Sequence, residues 1–301
     1  MKISIITPTR NQVRFIQQTL DSVATQNWPE VEHIVLDALS TDGTPDLLRA
    51  CAHPIQFRSE KDLGQSDAIN KGFRMATGEI LAWLNSDDWY QDDTLEFVGR
   101  WFEEHPDCHW LAGAVDNIYP DGTTRRVTPA YHGLEALLGR DRYSLHQPGI
   151  FWRRSMFEKV GDLDINLSCS FDHDFWIRSV LKGFQPTCME QPLACFRIHA
   201  DSKTGRAMKI SLEEDWELLC RHQGALDEKQ RQSVSNALLR YEAGYFIANF
   251  YFLLENQGRS AALRYFCSRI RAGLNVRPRR LLLGALWRLP GGKAPAWSAR
   301  R

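Results

Sequence analysis

A chain of 301 residues that is 43% apolar and 11% aromatic carries enough nonpolar side chain for a large core, which excludes a disordered or fibrous protein. Lys plus Arg and Asp plus Glu both number 37, yet no acidic residue follows Glu255 and eleven basic ones do, so an acidic body ends in a basic tail of the kind that meets anionic surfaces. Seven scattered cysteines with no C-x-x-C pair argue against a zinc site or disulfide framework, and no run approaches the roughly 18 apolar residues of a membrane span; a cytoplasmic protein, soluble or peripheral on a membrane face, is expected.

The first hundred residues alternate between two periods. ISIIT (3–7) reads as a buried strand, and Val13, Ile16, Leu20 and Val23 then recur at helical spacing. VEHIVLD (31–37) is strand-like, a helix follows through Leu47 and Leu48, and IQFRS (55–59), SDAINKGFRMA (66–76) and EILAWL (79–84) continue as strand, helix and strand. This alternation predicts an α/β fold, a Rossmann-like, mostly parallel sheet flanked by helices, in which ligands bind beyond the C-terminal strand ends. From about residue 105 the rhythm changes: HWLAGAVDNIY and TTRRVTP flank an Asp121-Gly122 turn as a hairpin, and HQPGIFWRRSMFEKVG gives a short strand and helix. SFDHDFWIRSVLKGF (170–184) is helical, with Phe171, Phe175 and Val180 on its buried side, and QPLACFRIHADS supplies a last strand ending at His199. Beyond about 205 the periods are helical only. The predicted organisation is an α/β unit over 1–205, divided near 104 where the rhythm changes, and an α-helical region over 206–301 with the basic tail.

Polar residues gather after three strands. Thr7, Pro8, Thr9, Arg10 and Asn11 follow the first, Asp37, Ser40, Asp42 and Gly43 the second, and Asn85, Ser86, Asp87 and Asp88 the strand EILAWL. Two adjacent carboxylates at the end of a buried strand repel each other unless the turn is solvated or a cation sits there. The dinucleotide fingerprint and the P-loop are both absent, which argues against a nicotinamide or flavin enzyme and a P-loop phosphoryl transferase.

TPTRNQ, DALSTDGT, SEKDLGQSDAINKGFRMATGEILAWLNSDDWY, HQPGIFWRR, FDHDFWIR and FRIHADSKT, in this order and spacing, resemble the glycosyltransferase family 2 enzymes of GT-A fold over residues 1–205. The resemblance implies an inverting transfer of sugar from a nucleoside-diphosphate donor, taken as a UDP-sugar, to an acceptor hydroxyl of a glycan or lipid-linked glycan, in polysaccharide, O-antigen or glycolipid assembly. It implies Mn²⁺ or Mg²⁺ as cofactor, since a divalent ion stabilises the charge that builds on the leaving diphosphate. Nucleic acid is not expected as a partner.

By position in the motifs, Asp88 is the expected metal ligand with His199, and Asp87 lies nearer the ribose. Asp37 corresponds to the family's base-contacting aspartate, although a strand-end Asp that caps a turn looks the same in sequence. Thr7, Pro8, Arg10, Asp62, Gly64, Ser66, Asp67 and Asn85 complete the expected nucleotide-sugar pocket; Ser66 also suits the N-cap of the following helix, and a solvated Arg10 fits equally. Alignment of Trp176 and Arg178 with the acidic motif gives Asp172 as the general base, with Asp174 as the alternate, and Phe171 stands where Glu is common. His146, Gln147, Trp152 and Arg153 are expected on the acceptor side, with Trp152 as plain core the competing reading. Ser202 and Lys203 are weaker candidates to close over the diphosphate. The Arg-, Leu- and Trp-rich tail reads either as an interfacial membrane helix or as a packing cap. Two other functions fit less well: a catalytically silent nucleotide-sugar-binding scaffold, and a sugar nucleotidyltransferase, for which TPTRNQ lacks the glycines.

Overall fold

A computed structural model of the chain describes residues 1–140, 144–199 and 208–241, together with Ser260 and Arg264. Ser202, Lys203, Cys267 and the basic tail lie outside the described residues, as does the expected boundary near 205.

Parallel strands β1 (Ile3–Thr9), β2 (Val31–Asp37), β3 (Gln56–Ser59) and β4 (Ile80–Trp83) form half of one sheet. Every residue of β1 and β4 is buried, as the continuous apolar runs require of strands covered on both faces. Helices α1 (Ile16–Ala24), α2 (Thr44–Arg49) and α3 (Gln65–Met75) make the crossovers. Ile16, Leu20 and Val23 are the buried stripe of α1; α3 lies so close to β1 that a Cβ on Gly72 would stand 2.5 Å from an Ile6 methyl. The remaining strands are β5 (Trp89–Tyr90), β6 (Trp110–Ile118), β7 (Thr124–Val127), β8 (Ile150–Arg153) and β9 (Thr187–Arg197), in the spatial order β3-β2-β1-β4-β8-β6-β9-β5 with β7 paired to β6.

The expected hairpin is β6–β7, and the sheet is mixed where a mostly parallel one was expected. Strand β8 runs antiparallel to both β4 and β6, and β5 antiparallel to β9. Two helices escape the reading by period. Helix α4 (Thr94–Glu104) does bury Leu95, Val98 and Phe102 at helical spacing, a signal present in the sequence, whereas α5 (Leu134–Leu138) is too short to show a period. Helices α6 (Arg154–Val160) and α7 (Phe171–Leu181) follow the reading, and Phe171, Phe175 and Val180 are buried.

The main core joins both halves through rings: Phe73, Trp83, Trp152, Phe157 and Phe175 meet edge-on or tilted at centroid distances of 4.8 to 6.2 Å. Helix α8 (Met208–His222) and a helix over 228–241, α9, bury Leu218, Leu219, Val234 and Leu238 in this same core beside Phe171 and Trp176. No helix among the described residues is long and apolar enough to cross a membrane.

Candidate active site

Strand register brings the polar clusters together. Thr9 pairs with Asp37 and Ile6 with Trp83, so the ends of β1, β2 and β4 share one edge of the sheet, at the point where the chain order reverses. Asp37 is buried there; its carboxylate accepts the Ser40 N–H at 3.1 Å and the Ser59 hydroxyl at 2.5 Å. It does cap its turn, and a carboxylate with about four acceptor positions still has room for another donor. Thr9 Oγ1 is buried beside it with no hydrogen-bond partner among the described residues. Pro8 is buried in β1, whereas Arg10 is exposed. Asn11, at φ 54°, and Ser40 tie the two loops, Asn11 N–H donating to Ser40 Oγ and Thr41 N–H to Asn11 Oδ1. Asp42 shapes its turn as its spacing implies, accepting from the Thr44 and Val13 amides.

The aspartate pair is held from several sides. Asp88 is 1% exposed; Oδ1 accepts the Arg197 backbone N–H at 3.0 Å and Oδ2 the Asn85 amide at 3.2 Å. Burial, and then the neighbouring Asp87 charge, push its pKa well above the ordinary value despite these donors and the Arg197 charge. Asp87 Oδ2 meets His199 Nε2 at 3.0 Å. With the Nε2 proton on that bond, the lone pair of Nδ1 is free, and Nδ1 is buried with no hydrogen-bond partner among the described residues.

Arg197, which the sequence reading passes over, binds this loop to the end of β9. Its Nε donates to the Asp87 carbonyl at 3.0 Å and a terminal nitrogen to Gln18 Oε1, while its guanidinium stacks on Phe15 at 4.9 Å and Trp89 at 4.6 Å. Phe15 also lies 4.6 Å from the His199 ring. The signal was a cation two residues before the strand-end histidine, in a motif already singled out.

The loop after β3 is built around its own acids. Gly64 N–H donates to Asp62, and Leu63 N–H to Asp67, which also pairs with Lys71 at 3.3 Å. Gly64 sits at φ +128°, a conformation only glycine adopts without strain, and it is the N-cap residue of α3; Ser66 lies inside the first turn, so its expected capping role falls away. Asn85 joins three segments: Gln65 donates to its Oδ1, and its Nδ2 faces Asp88 and Gln147 Oε1. Gln147 also donates to the Trp83 carbonyl, and His146, edge-on to Phe196, is held neutral by burial at a pKa of about 4.

The two candidate base carboxylates differ sharply. Asp172, in the first turn of α7, is half-buried and, among the described residues, accepts only the N–H of His173, and burial raises its pKa against the charges of Arg140 and His173. Asp174 is fully buried in an ion-pair cluster, 2.7 Å from Arg178 Nε and within 3.5 Å of Arg221 and His222 of α8. Burial pushes its pKa up, but His222, Arg178 and Arg221 outweigh this and hold it below the ordinary value.

Three expected positions are corrected. The Thr7 hydroxyl is buried against His33 Nε2 at 2.9 Å, turned into the sheet packing. Trp152 is fully buried between Phe73 and Trp83 in the core and presents no face to a sugar. Arg153 pairs with Ile80 at the start of β4, the far edge of the sheet, where it caps carbonyls of Phe102, His105 and Cys108. A strand alternates its faces, and a short antiparallel insertion carries its last residue away from the site.

The Glycosyl transferase family 2 model matches residues 4–175. A "PGL/p-HBAD biosynthesis glycosyltransferase" of Mycobacterium bovis is 34% identical over 183 residues, 58% of this chain and 68% of the relative. The "putative teichuronic acid biosynthesis glycosyltransferase TuaG" of Bacillus subtilis is 28% identical over 216 residues, 69% of this chain and 84% of the relative. Among solved structures, residues 1–349 of S. aureus TarS in complex with UDP superpose with a TM-score of 0.60 at 19% identity, covering 81% of this chain and 72% of that one. The chain spans 43% of the longer TarS structure. A mannosyltransferase from Pyrobaculum calidifontis in complex with GDP-Man and Mn²⁺ gives 0.59 at 20% identity, covering 96% and 81%. At such identities the superpositions show a shared fold, the GT-A type. The matched segment contains the strand ends, the aspartate pair and the start of α7, and on that ground the chain belongs to glycosyl transferase family 2 and is a glycosyltransferase.

Proposed function

We propose that this enzyme transfers a sugar, with inversion, from a UDP-sugar to a hydroxyl of a cell-envelope glycan or lipid-linked glycan, on the cytoplasmic side of the membrane. The observation that carries the donor half is a buried carboxylate, Asp88, raised in pKa beside Asp87 at the strand edge that also holds Asp37. A site that leaves a carboxylate desolvated and repelled is complementary to a cation. The donor set fits Mn²⁺ or Mg²⁺: two carboxylates, and an imidazole Nδ1 with no hydrogen-bond partner among the described residues. Among the described residues no three His, Cys, Asp or Glu side chains are grouped closely enough to hold an ion by themselves. Asp88 and His199 would hold that ion, which when bound acts as a Lewis acid on the leaving diphosphate.

The chain's own groups then divide the work. Asp37, Thr9 and the Asn11–Ser40 loop junction receive the nucleoside, Asp37 accepting an N–H of the base. Asp87 faces the ribose, its backbone fixed by Arg197; Asn85 with Gln65 and Gln147 keeps the loop in place. Asp172 takes the acceptor proton as the oxygen attacks, a role that a half-buried carboxyl of raised pKa serves well near neutral pH. His146 and Gln147 border the acceptor side. The names of the mycobacterial and Bacillus relatives, and a TarS complex with UDP-GlcNAc, support the envelope glycan and the UDP donor.

Thermal-shift titration with UDP-, GDP- and dTDP-sugars, with and without Mn²⁺, tests this. A Mn²⁺-dependent rise with a UDP-sugar, followed by release of UDP in the presence of acceptor, is the expected result. Stabilisation by GDP-sugars alone would move the donor assignment, and binding without turnover would make the chain a nucleotide-sugar-binding scaffold.

A further inference from the structure

The family match ends at residue 175, and helix α8, beyond it, carries an acidic pair with no role in the family motifs. Glu214 is 7% exposed, and its carboxylate accepts three consecutive backbone N–H groups: Ser168 at 2.6 Å, Cys169 at 2.9 Å and Ser170 at 2.7 Å. Ser170 is the N-cap residue of α7 and offers no side-chain cap of its own, so these amides lead into the helix without intrahelical partners. A carboxylate there makes charge-assisted hydrogen bonds and complements the positive end of the helix. Next along α8, Asp215 pairs with Arg140 at 2.6 Å and reaches Ser170 Oγ at 3.1 Å and His173 Nδ1 at 3.4 Å. Nearly two turns further, Arg221 and His222 take Asp174. Helix α8 thus grips the residues on either side of Asp172, whose carboxylate takes a single backbone donor among the described residues.

We propose that Glu214 is a positioning residue for the transfer: by clamping the Ser168–Ser170 amides it fixes the first turn of α7 and so presents the Asp172 carboxylate to the acceptor hydroxyl. The proposal rests on the reading of Asp172 as the base. It makes α8 part of the active-site machinery although it lies beyond the segment that the family model matches. Around Asp172 stand Arg140 after α5, His173 on α7 and Asp215 on α8, and burial sets the balance of its proton affinity. Loss of the clamp admits water to that turn and lets the carboxyl ionise more readily.

The test compares Glu214→Gln, Glu214→Asp and Asp172→Asn in the full chain. In protein labelled with ¹³C at aspartate carboxyls, the Asp172 resonance, assigned by its loss in Asp172→Asn, is expected to titrate at lower pH in Glu214→Gln and to return toward the wild-type midpoint in Glu214→Asp. UDP release from UDP-GlcNAc, or from the donor that the thermal screen selects, should fall about tenfold or more in kcat, with donor KM within about twofold, because misplacing a reacting group by a fraction of an ångström affects attack and not binding. A merely structural Glu214 would lower the melting temperature and leave the Asp172 titration unmoved, which overturns the proposal. Should Gln not fold, Glu214→Asp decides, with a smaller shift in the same direction. Wild-type turnover in Asp172→Asn removes the base reading itself; loss there with unchanged kcat and titration in Glu214→Gln removes the positioning role alone.

Discussion

Asp88 and Arg197 are two ends of one contact, and they behave differently under substitution. In the metal-free protein Asp88 is a desolvated carboxylate beside a second negative charge, so its folded pKa lies above its unfolded one. Such a group destabilises the fold at pH above its folded value, and the penalty fades as pH falls through it. Asn at this position can still accept the Arg197 N–H and carries no charge. Asp88→Asn is therefore expected to melt about 2 to 4 °C higher than wild type at neutral pH without metal, while losing metal-dependent turnover by about a thousandfold; wild-type turnover would remove the metal assignment. Arg197→Lys keeps the charge and the backbone donor but loses the flat stack between Phe15 and Trp89 and the bond to the Asp87 carbonyl. We expect the Mn²⁺ concentration for half-maximal activity to rise about tenfold, and an unchanged value would make Arg197 a surface ornament of the loop. The contrast shows what residues reveal in sequence. Asp37, Asp87 and Asp88 are legible because strand-end carboxylates are chemically conspicuous. Arg197 works through shape and stacking, and the misplacement of Trp152 and Arg153 came from the same gap: which face a strand residue takes depends on the direction of a short antiparallel strand, which composition does not encode.

The elements that carry the site are braced at their other end. Glu32, in the first half of β2 and thus at the edge opposite Asp37, accepts from Ser4 Oγ at 2.5 Å, the Thr77 amide at 2.7 Å, Gln56 and Lys2, tying β1, β2, β3 and the turn before β4. Burial alone would raise its pKa, but the donors Ser4, Thr77 and Lys2 outweigh it and bring the carboxyl from the usual 4.5 to about 2. A depressed folded pKa stabilises the fold fully above the unfolded value, and that contribution is lost as pH falls toward 2. Glu32→Gln should cost about 2 to 3 kcal/mol at pH 7, measured by urea unfolding, with the gap from wild type closing between about pH 4.5 and 2. Activity per folded molecule should be unchanged, because the brace lies a full strand length from the site. At this scale the period of the sequence was informative. The β-α-β-α rhythm, the hairpin and the helix of FDHDFWIR are all present, because burial on both faces of a parallel sheet leaves long apolar runs. Strand direction in the second half escaped, since β8 and β9 pair with partners far away in the chain and a four-residue strand reads the same in either sense.

For the whole molecule, the question is whether the helices after residue 207 are an appendage or a wall of the catalytic unit. Their contacts favour a wall. Leu218 and Leu219 of α8 and Val234 and Leu238 of α9 are buried in the cluster that contains Phe171, Trp176 and Trp152. Stripping them away exposes the apolar surface of that cluster, at roughly 25 cal/mol per Å². The polar consequences are sharper, because Asp174 would lose Arg221 and His222, Arg140 would lose Asp215, and the Ser168–Ser170 amides would lose Glu214. Breaking a buried pair by removing one partner costs about 3 to 5 kcal/mol, a large part of the stability of an ordinary domain. A chain ending at residue 205 is therefore expected to aggregate or to give a broad, noncooperative melt, even though it contains every family motif. A chain ending near residue 274 keeps α8 and α9 and removes the basic tail alone. If that tail lies in a membrane interface, the shorter chain will bind vesicles containing anionic phosphatidylglycerol less well than the full chain; equal binding would leave the basic tail as a cap on the protein. A soluble, cooperatively melting 1–205 fragment would instead show that the parallel sheet and its ring cluster hold α7 in place unaided, and helix α8 would then be a passenger on the catalytic unit.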